Sequence, residues 1–244
     1  MLKKKHDRNM TLMKKIIKDI NSTNLSLQKK NIFSQIIYVS NKHNIISSYK
    51  EKYMIKEPSR YKNFYLDMYE SQNYLCLLND ISLISGYYEF SNDKENLIEA
   101  KLEYIPNPGF IINKDYEMEY INSNLQHPLS YYTSNYIRFD FDIDKESYKP
   151  LFHPCSHLHL GLDSNYRISL DKFPYYSEFV KFVLFAQYEK DWINIIPKKN
   201  RCMVANRENI DCDEYLKIRI ENKKNKYIDS KLTDLENEFY LYNI

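Results

Sequence analysis

Glycine is nearly missing from this chain, with three residues in 244, and that shortage argues against a glycine-rich double-stranded β-barrel. Cysteine is sparse as well. Cys76, Cys155, Cys202 and Cys212 form no CxxC pair and no small secreted framework, so reduced thiols in a cytosolic compartment are expected. No stretch reaches the roughly 18 apolar residues of a membrane span, and the basic N-terminus MLKKKHDRNMTLMKKII lacks the apolar run of a signal peptide. The reading is a soluble, cytoplasmic protein with no membrane partner. Charge of one sign is missing too: 35 basic against 33 acidic residues leave a formal net charge of +2. That balance neither demands nucleic acid nor rules out a local basic groove. The 24 tyrosines and 12 phenylalanines look like an inventory for base stacking, but Lys, Asn and Ile crowd the chain in the same way. The three together reflect AU-rich codons, so the aromatic count carries little functional weight.

What is present is concentrated in HPCSHLHLG, His153 to Gly161, which holds three of the six histidines. Histidine titrates closest to neutrality, so such a cluster suits proton transfer or metal binding. Leu158, Leu160 and Leu162 alternate with His157, His159 and Gly161, the period of a half-buried strand. His157 and His159 then share a face, about 7 Å apart at Cα. Pro154 lacks a backbone donor and belongs before the strand, which puts His153 in the entering loop. Upstream, Ile137, Phe139 and Phe141 alternate with Arg138, Asp140 and Asp142; downstream, a turn at Ser164-Asn165 leads into Tyr166 to Leu170 and brings up Arg167. Paired, these strands place Arg138, Asp140, His157 and His159 on one sheet face. An arginine to grip a phosphate and an aspartate to fix a histidine tautomer complete a plausible phosphodiester site. The same residues also make an ordinary structural ion pair and polar sheet network.

With 43% hydrophobic residues the chain has enough apolar material for a full core. The expected fold is α+β: a central, mostly antiparallel sheet flanked by helices, one domain with extensions. Residues 1–59 form a helical N-terminal extension, 60–195 the core with the histidine motif, and 196–244 a charged C-terminal extension packed on it. Met10, Met13, Ile16, Ile17 and Ile20 mark the first helix, with Lys14, Lys15 and Lys18 in solvent. Ser34 to Ser48 is ambiguous between helix and strand. A break at Glu57-Pro58-Ser59 precedes a second helix through Tyr65, Met68 and Tyr69. Tyr74 to Phe90 and Leu97 to Tyr104 read as two strands, stopped by Pro106-Asn107-Pro108-Gly109. Glu99-Ala100-Lys101 weakly matches half of a restriction-type nuclease motif, and a solvent face explains it equally. Pro174 opens a helix through Phe179, Phe182, Val183 and Ala186 to about Trp192. Tyr215 to Ile220 reads as a strand, and the charged segment from Glu221 as an exposed helix.

The order Tyr69, Tyr74, Asp80-Ile81-Ser82-Leu83-Ile84, Tyr104-Ile105-Pro106-Asn107-Pro108, Arg138-Phe139-Asp140, His153-Pro154-x-Ser156-His157-Leu158-His159-x-Gly161, Arg167-Ile168 and a helix opening at Pro174 resembles the bacterial family known as domain of unknown function 2290. The likeness spans most of positions 60 to 192, and its HPxSHLHxG core is specific. The chain departs from the pattern at Ile81, where a glycine is expected. The family name implies no activity. Over about positions 136 to 160, the RxD and HPxxHxH order is also similar to the TumE-like toxins, whose family is regarded as candidate ribonucleases.

These readings lead to one expected function: a nuclease-like effector acting on RNA or another nucleic acid, in a toxin–antitoxin or antiviral defence setting. Its cleavage is expected to be metal-independent, with no cofactor. His157 and His159 serve as acid and base with His153 beside them, Arg138 or Arg167 meets the phosphate, and Asp140 orients a histidine. Tyr131, Tyr132 and Tyr166 offer base platforms. Zinc on His153, His157, His159 and Asp140, or a cupin-like His157-x-His159-x-x-x-Asp163 set, is the weaker reading, and no bound metal is expected. The alternative from another class is a non-catalytic subunit that binds nucleic acid or a protein partner, an antitoxin or a defence ATPase.

Overall fold

Leucine 12 begins the first helix for a local reason: Thr11 lies just outside the helical conformation, and its hydroxyl accepts from the Lys14 amide at 3.4 Å. The computed structural model describes residues 10–30, 32–36, 41–42, 44–48, 60–112, 118–120, 134–144, 153–162, 167–170, 172–188 and 227–229. Helix α1 spans Leu12–Gln28, burying Met13, Ile16, Ile20 and Leu27 along one stripe while Lys14, Lys15 and Lys18 stay exposed. Two further helices are described, α2 (Tyr61–Glu70) and α3 (Tyr176–Gln187).

The strands are β1 (Phe33–Ile36), β2 (Asn41–Lys42), β3 (Ile45–Ser47), β4 (Cys76–Leu78), β5 (Leu83–Phe90), β6 (Leu97–Ile105), β7 (Phe110–Ile112), β8 (Met118–Tyr120), β9 (Ile137–Asp142), β10 (Ser156–Leu160), β11 (Ile168–Ser169), β12 (Lys172–Pro174) and β13 (Tyr227–Asp229). Nine of them form the main sheet, in the order β1-β4-β5-β6-β9-β10-β11, with β3 also on β5 and β2 on β3. Among the described residues, every pairing of that sheet is antiparallel. From β4 to β11 the path is a meander, interrupted between β6 and β9 by the separate β7–β8 hairpin. The fold is therefore α+β, as the pattern of the sequence implies.

Helices α1 and α3 cover one face. Ile84, Tyr88, Ala100, Leu102, Ile137, Phe139, Phe141 and Leu158 point toward Met13, Ile16, Ile20, Phe179, Val183 and Leu184 in one continuous core. Two polar residues of α1 tie it down: buried Asn24 donates to the Leu75 carbonyl at 3.1 Å and accepts from the Tyr176 hydroxyl at 2.8 Å, and half-buried Asp19 accepts from the Ser177 amide at 2.8 Å. The Asp19 carboxylate thus satisfies an amide in the first turn of α3, where the helix supplies no side-chain cap of its own. A second core lies on the opposite face at one end, where Tyr61, Phe64, Tyr65 and Met68 of α2 meet Leu77, Leu83, Ile105 and Tyr136.

Several expectations need correction. Tyr74 to Phe90 is two strands folded into a hairpin at Asn79 to Ser82, with Ile81 at φ 59°. A β-branched residue there hides the turn from any reading based on glycine. Among the described residues of the ambiguous stretch Ser34 to Ser48, the regular structure is strand: β1, β2 and β3. Pro174 closes β12 and the helix begins two residues later, with Ala186 exposed because the buried stripe runs through Phe179, Val180, Val183 and Leu184. Tyr227–Asp229, expected within a charged helix, pairs with β12. Glu57 to Ser59, Ser164-Asn165, the helix end at Trp192 and the strand at Tyr215 to Ile220 lie outside the described residues.

Candidate functional site

Alternation on neighbouring strands builds the site. In the β9–β10 register Phe139 faces Leu158 over the helices, while Asp140 faces His157 and Arg138 faces His159 on the other side of the sheet. The rungs continue outward through β6 and β5. One reads Ser85, Glu103, Arg138, His159, and the next Tyr87, Lys101, Asp140, His157, Ser169. Opposite charges oppose each other on both: Glu103 with Arg138, and Lys101 with Asp140. A third rung, Glu89, Glu99, Asp142, is acidic throughout.

Asp140 is the hub. Its Oδ2 accepts from Arg138 Nε at 2.8 Å and stands 3.4 Å from Nε2 of both His157 and His159. Burial pushes the Asp140 carboxyl up, but the two imidazoles and the guanidinium outweigh that push and hold it well below the usual carboxylate range. Arg138 remains a cation for the reciprocal reason: burial opposes its charge, and Asp140, Tyr136 and Glu103 prevail.

The motif's proline has a direct structural use. His157 Nδ1 lies 2.8 Å from the Pro154 carbonyl oxygen. A carbonyl only accepts, so Nδ1 carries the proton and, in the neutral ring, Nε2 presents a lone pair toward Asp140. His159 Nε2 is buried and makes no hydrogen bond, the 3.4 Å contact to Asp140 being out of line for one. Burial first, with the Arg138 and His157 charges, depresses the His159 pKa, and the neighbouring Asp140 carboxylate opposes the shift. Gly161 ends the strand at φ 82°, its amide donating to the Tyr136 carbonyl at 2.7 Å.

Exposure separates the cluster into two tiers. His157 and His159 are 2% and 5% exposed, whereas the side chains of Arg138 and Asp140 retain 16% and 21%. His153 is half-buried, its ring 5.2 Å from that of His157, which in turn lies 4.9 Å from that of His159. Burial, His157 and the Arg167 charge lower the His153 pKa, which places Arg167 in the same electrostatic neighbourhood. Tyr166, Tyr131, Tyr132 and Asp163 lie outside the described residues.

Sequence reasoning missed the neighbour of the hub. Glu103 is 1% exposed and accepts from the Tyr136 hydroxyl, from Ser85 Oγ at 3.2 Å and from Lys101 Nζ at 3.0 Å. Burial pushes its carboxyl up to about 8, with the Tyr136 hydrogen bond and the Arg138 charge opposing. Near neutral pH the group is therefore close to its titration point: burial favours the neutral form and the Lys101 ammonium the ionised one. The available signal was parity, since Glu99, Lys101 and Glu103 share one face of their strand and stand opposite Asp142, Asp140 and Arg138. Lys101, the base of the Glu99-Ala100-Lys101 match, stands 3.0 Å from Glu103.

An antiparallel α+β protein with two histidines and an arginine gathered on one aspartate is the class that fold and site define. The family model described as an uncharacterized conserved protein, DUF2290, matches residues 18–244. The chain belongs to that family. Searches of curated proteins and of solved structures found no match.

Proposed function

We propose that this protein is a nuclease-like effector that cleaves RNA at the Asp140 cluster, in a bacterial toxin–antitoxin or phage-defence setting. The observation that carries the reading is the convergence of two imidazoles and a guanidinium on one carboxylate oxygen, on the sheet face turned away from α1 and α3. Arg138 and Arg167 are the cations for the scissile phosphate. Both buried Nε2 atoms are directed at Asp140, so proton exchange with the 2′-hydroxyl falls to His153, the more open ring. The biological setting rests only on the resemblance of the RxD and HPxxHxH order to TumE-like toxins.

The test is cleavage of a labelled RNA by the full chain. Wild type is expected to cut, and His157→Ala and His159→Ala to lose activity with unchanged circular dichroism. Full cleavage by the double variant overturns the proposal.

One observation favours a second reading, a non-catalytic subunit that recognises a partner protein or nucleic acid: His157 and His159 are as buried as core residues. On that reading His157→Ala lowers Tm by several degrees, and the wild type cuts nothing with or without divalent metal.

A further inference from the structure

The contacts of the two imidazoles with Asp140 are longer than hydrogen bonds to a carboxylate. A charge-assisted N–H···O bond settles at about 2.7–2.9 Å, yet both imidazoles stop 3.4 Å from Oδ2. Donors at 2.0–2.1 Å from a tetrahedral zinc ion are about 3.3–3.4 Å apart. Two of the three donor–donor distances match those of ligand edges.

We propose that Asp140, His157 and His159 bind one divalent first-row cation, zinc in the first instance, with a coordination position left open. The three donor atoms lie within 4.8 Å of one another, and among the described residues no other trio of His, Cys, Asp or Glu meets that spacing. Two independent observations point the same way. The Pro154 carbonyl holds the proton of His157 on Nδ1, which leaves Nε2 as a bare donor aimed at the other two groups; a metal-bound histidine is oriented through its second nitrogen in the same manner. His159 Nε2 is a buried polar atom with no hydrogen bond, in a residue 5% exposed, and an ion would satisfy it.

Arg138 does not close the site. A carboxylate has two oxygens with about four lone-pair positions, and Arg138 Nε takes one of them. Two imidazoles and one carboxylate suit zinc and its first-row neighbours better than magnesium or calcium, which favour oxygen ligands. Three protein ligands with an open fourth position is the arrangement of zinc sites that do chemistry, where structural sites close all four. The absence of metal expected from sequence rested on Asp140 being taken up by Arg138; the geometry has Asp140 serving both. Binding of the ion stands on its own, and only its use in cleavage rests on the nuclease reading. There His157 and His159 are ligands, the ion meets the phosphate charge, and His153 is left to carry the proton.

The experiment is calorimetric titration of chelator-stripped full chain with Zn²⁺, with Co²⁺ absorption spectra in parallel. Expected are one ion per chain, Co²⁺ bands of a four- or five-coordinate site, and affinity reduced by at least ~100-fold in His159→Gln and Asp140→Asn, beyond the roughly 10–100-fold that outer partners cost. Glu99→Gln, on the acidic rung, is expected to bind like wild type. Absence of saturable binding by the wild type overturns the inference, as does binding that His159→Gln and Asp140→Asn leave intact. A variant that loses its fold also loses the ion, so the wild type is scored separately: saturating Zn²⁺ must raise its Tm and move its histidine ring NMR signals, and failure of both sinks the site. RNA cleavage is read on separate aliquots. Zinc binding without cleavage removes the nuclease reading and supports this one; cleavage by a chain that binds no zinc does the reverse.

Discussion

On β9 the residues Ile137, Phe139 and Phe141 meet helices, and their neighbours Arg138, Asp140 and Asp142 meet a lattice of acids, bases and imidazoles. One strand thus serves two faces with different rules. On the helical face the requirement is shape, and many residues share it: the Phe139 ring packs edge-on against Phe179 at 5.4 Å and Phe182 at 5.5 Å. On the polar face the requirement is pairing, and a few atoms carry it. Glu103 has three polar partners, and Asp140 has one close donor with two imidazole nitrogens at 3.4 Å. A face built on pairing contributes little net stability, because desolvation offsets most of the attraction. What it holds is a geometry.

The comparison predicts unequal costs at adjacent positions. Phe139→Ala removes a ring 2% exposed and is expected to destabilise by about 3–5 kcal/mol, read by urea unfolding. Asp140→Asn keeps the shape and a neutral acceptor for Arg138, in a side chain 21% exposed, and should cost only about 1–2 kcal/mol while abolishing zinc binding and RNA cleavage. Equal losses at the two positions would break the distinction and favour the polar face as scaffold.

A smaller effect separates the two faces by pH. Glu103 is raised to about 8 by burial, so in the folded chain it stays protonated at pH values where the unfolded chain has released its proton. Its contribution is fully present below the unfolded value of about 4.3 and is lost as pH rises through the folded one. Wild type should therefore lose on the order of 1–3 kcal/mol between pH 5 and pH 8 relative to Glu103→Gln. Parallel stability profiles of the two proteins would show that Lys101 keeps the carboxylate ionised throughout.

How much of this could be read from sequence depended on which physical signal was local. Alternation is local, and it placed His157, His159, Arg138 and Asp140 on one face and the apolar stripe of α1 on the core. Depth is not local. The period of Leu97 to Ile105 marks Glu103 as facing away from the helices, but its burial comes from Tyr136, Ser85 and Lys101, which reach it only after β5, β6 and β9 assemble. The anchoring of His157 by Pro154 was equally hidden, because a proline in sequence signals a missing donor and here it acts through its carbonyl. The β12–β13 pairing joins two three-residue strands far apart in the chain, too short to show a period.

The smallest effect concerns Ile81, where the family resemblance implied glycine and the backbone shows why. At φ 59° an L-residue pays about 1–2 kcal/mol, and a β-branched side chain is an outlier there. The turn is over-determined around it. Asp80 accepts from the Ser82 amide at 3.0 Å, the Ser82 hydroxyl at 3.1 Å and the Tyr188 hydroxyl at 2.7 Å, and the Tyr65 hydroxyl donates to the Ile81 carbonyl. The side chain offsets the strain by filling the second core, 8% exposed among residues of α2, a burial worth about 1.5–3 kcal/mol. Ile81→Ala keeps the strain and loses most of the burial, so about 2 kcal/mol of stability should go. Ile81→Gly loses the burial and roughly 0.5–1 kcal/mol of chain entropy but relieves the strain, for a net loss of about 1 kcal/mol. At an ordinary strand position glycine is the worse of the two by that same entropy; here denaturant midpoints should rank glycine above alanine. The opposite ranking would mean that the hydrogen bonds of Asp80 and Tyr65, rather than the side chain, absorb the conformation at no cost.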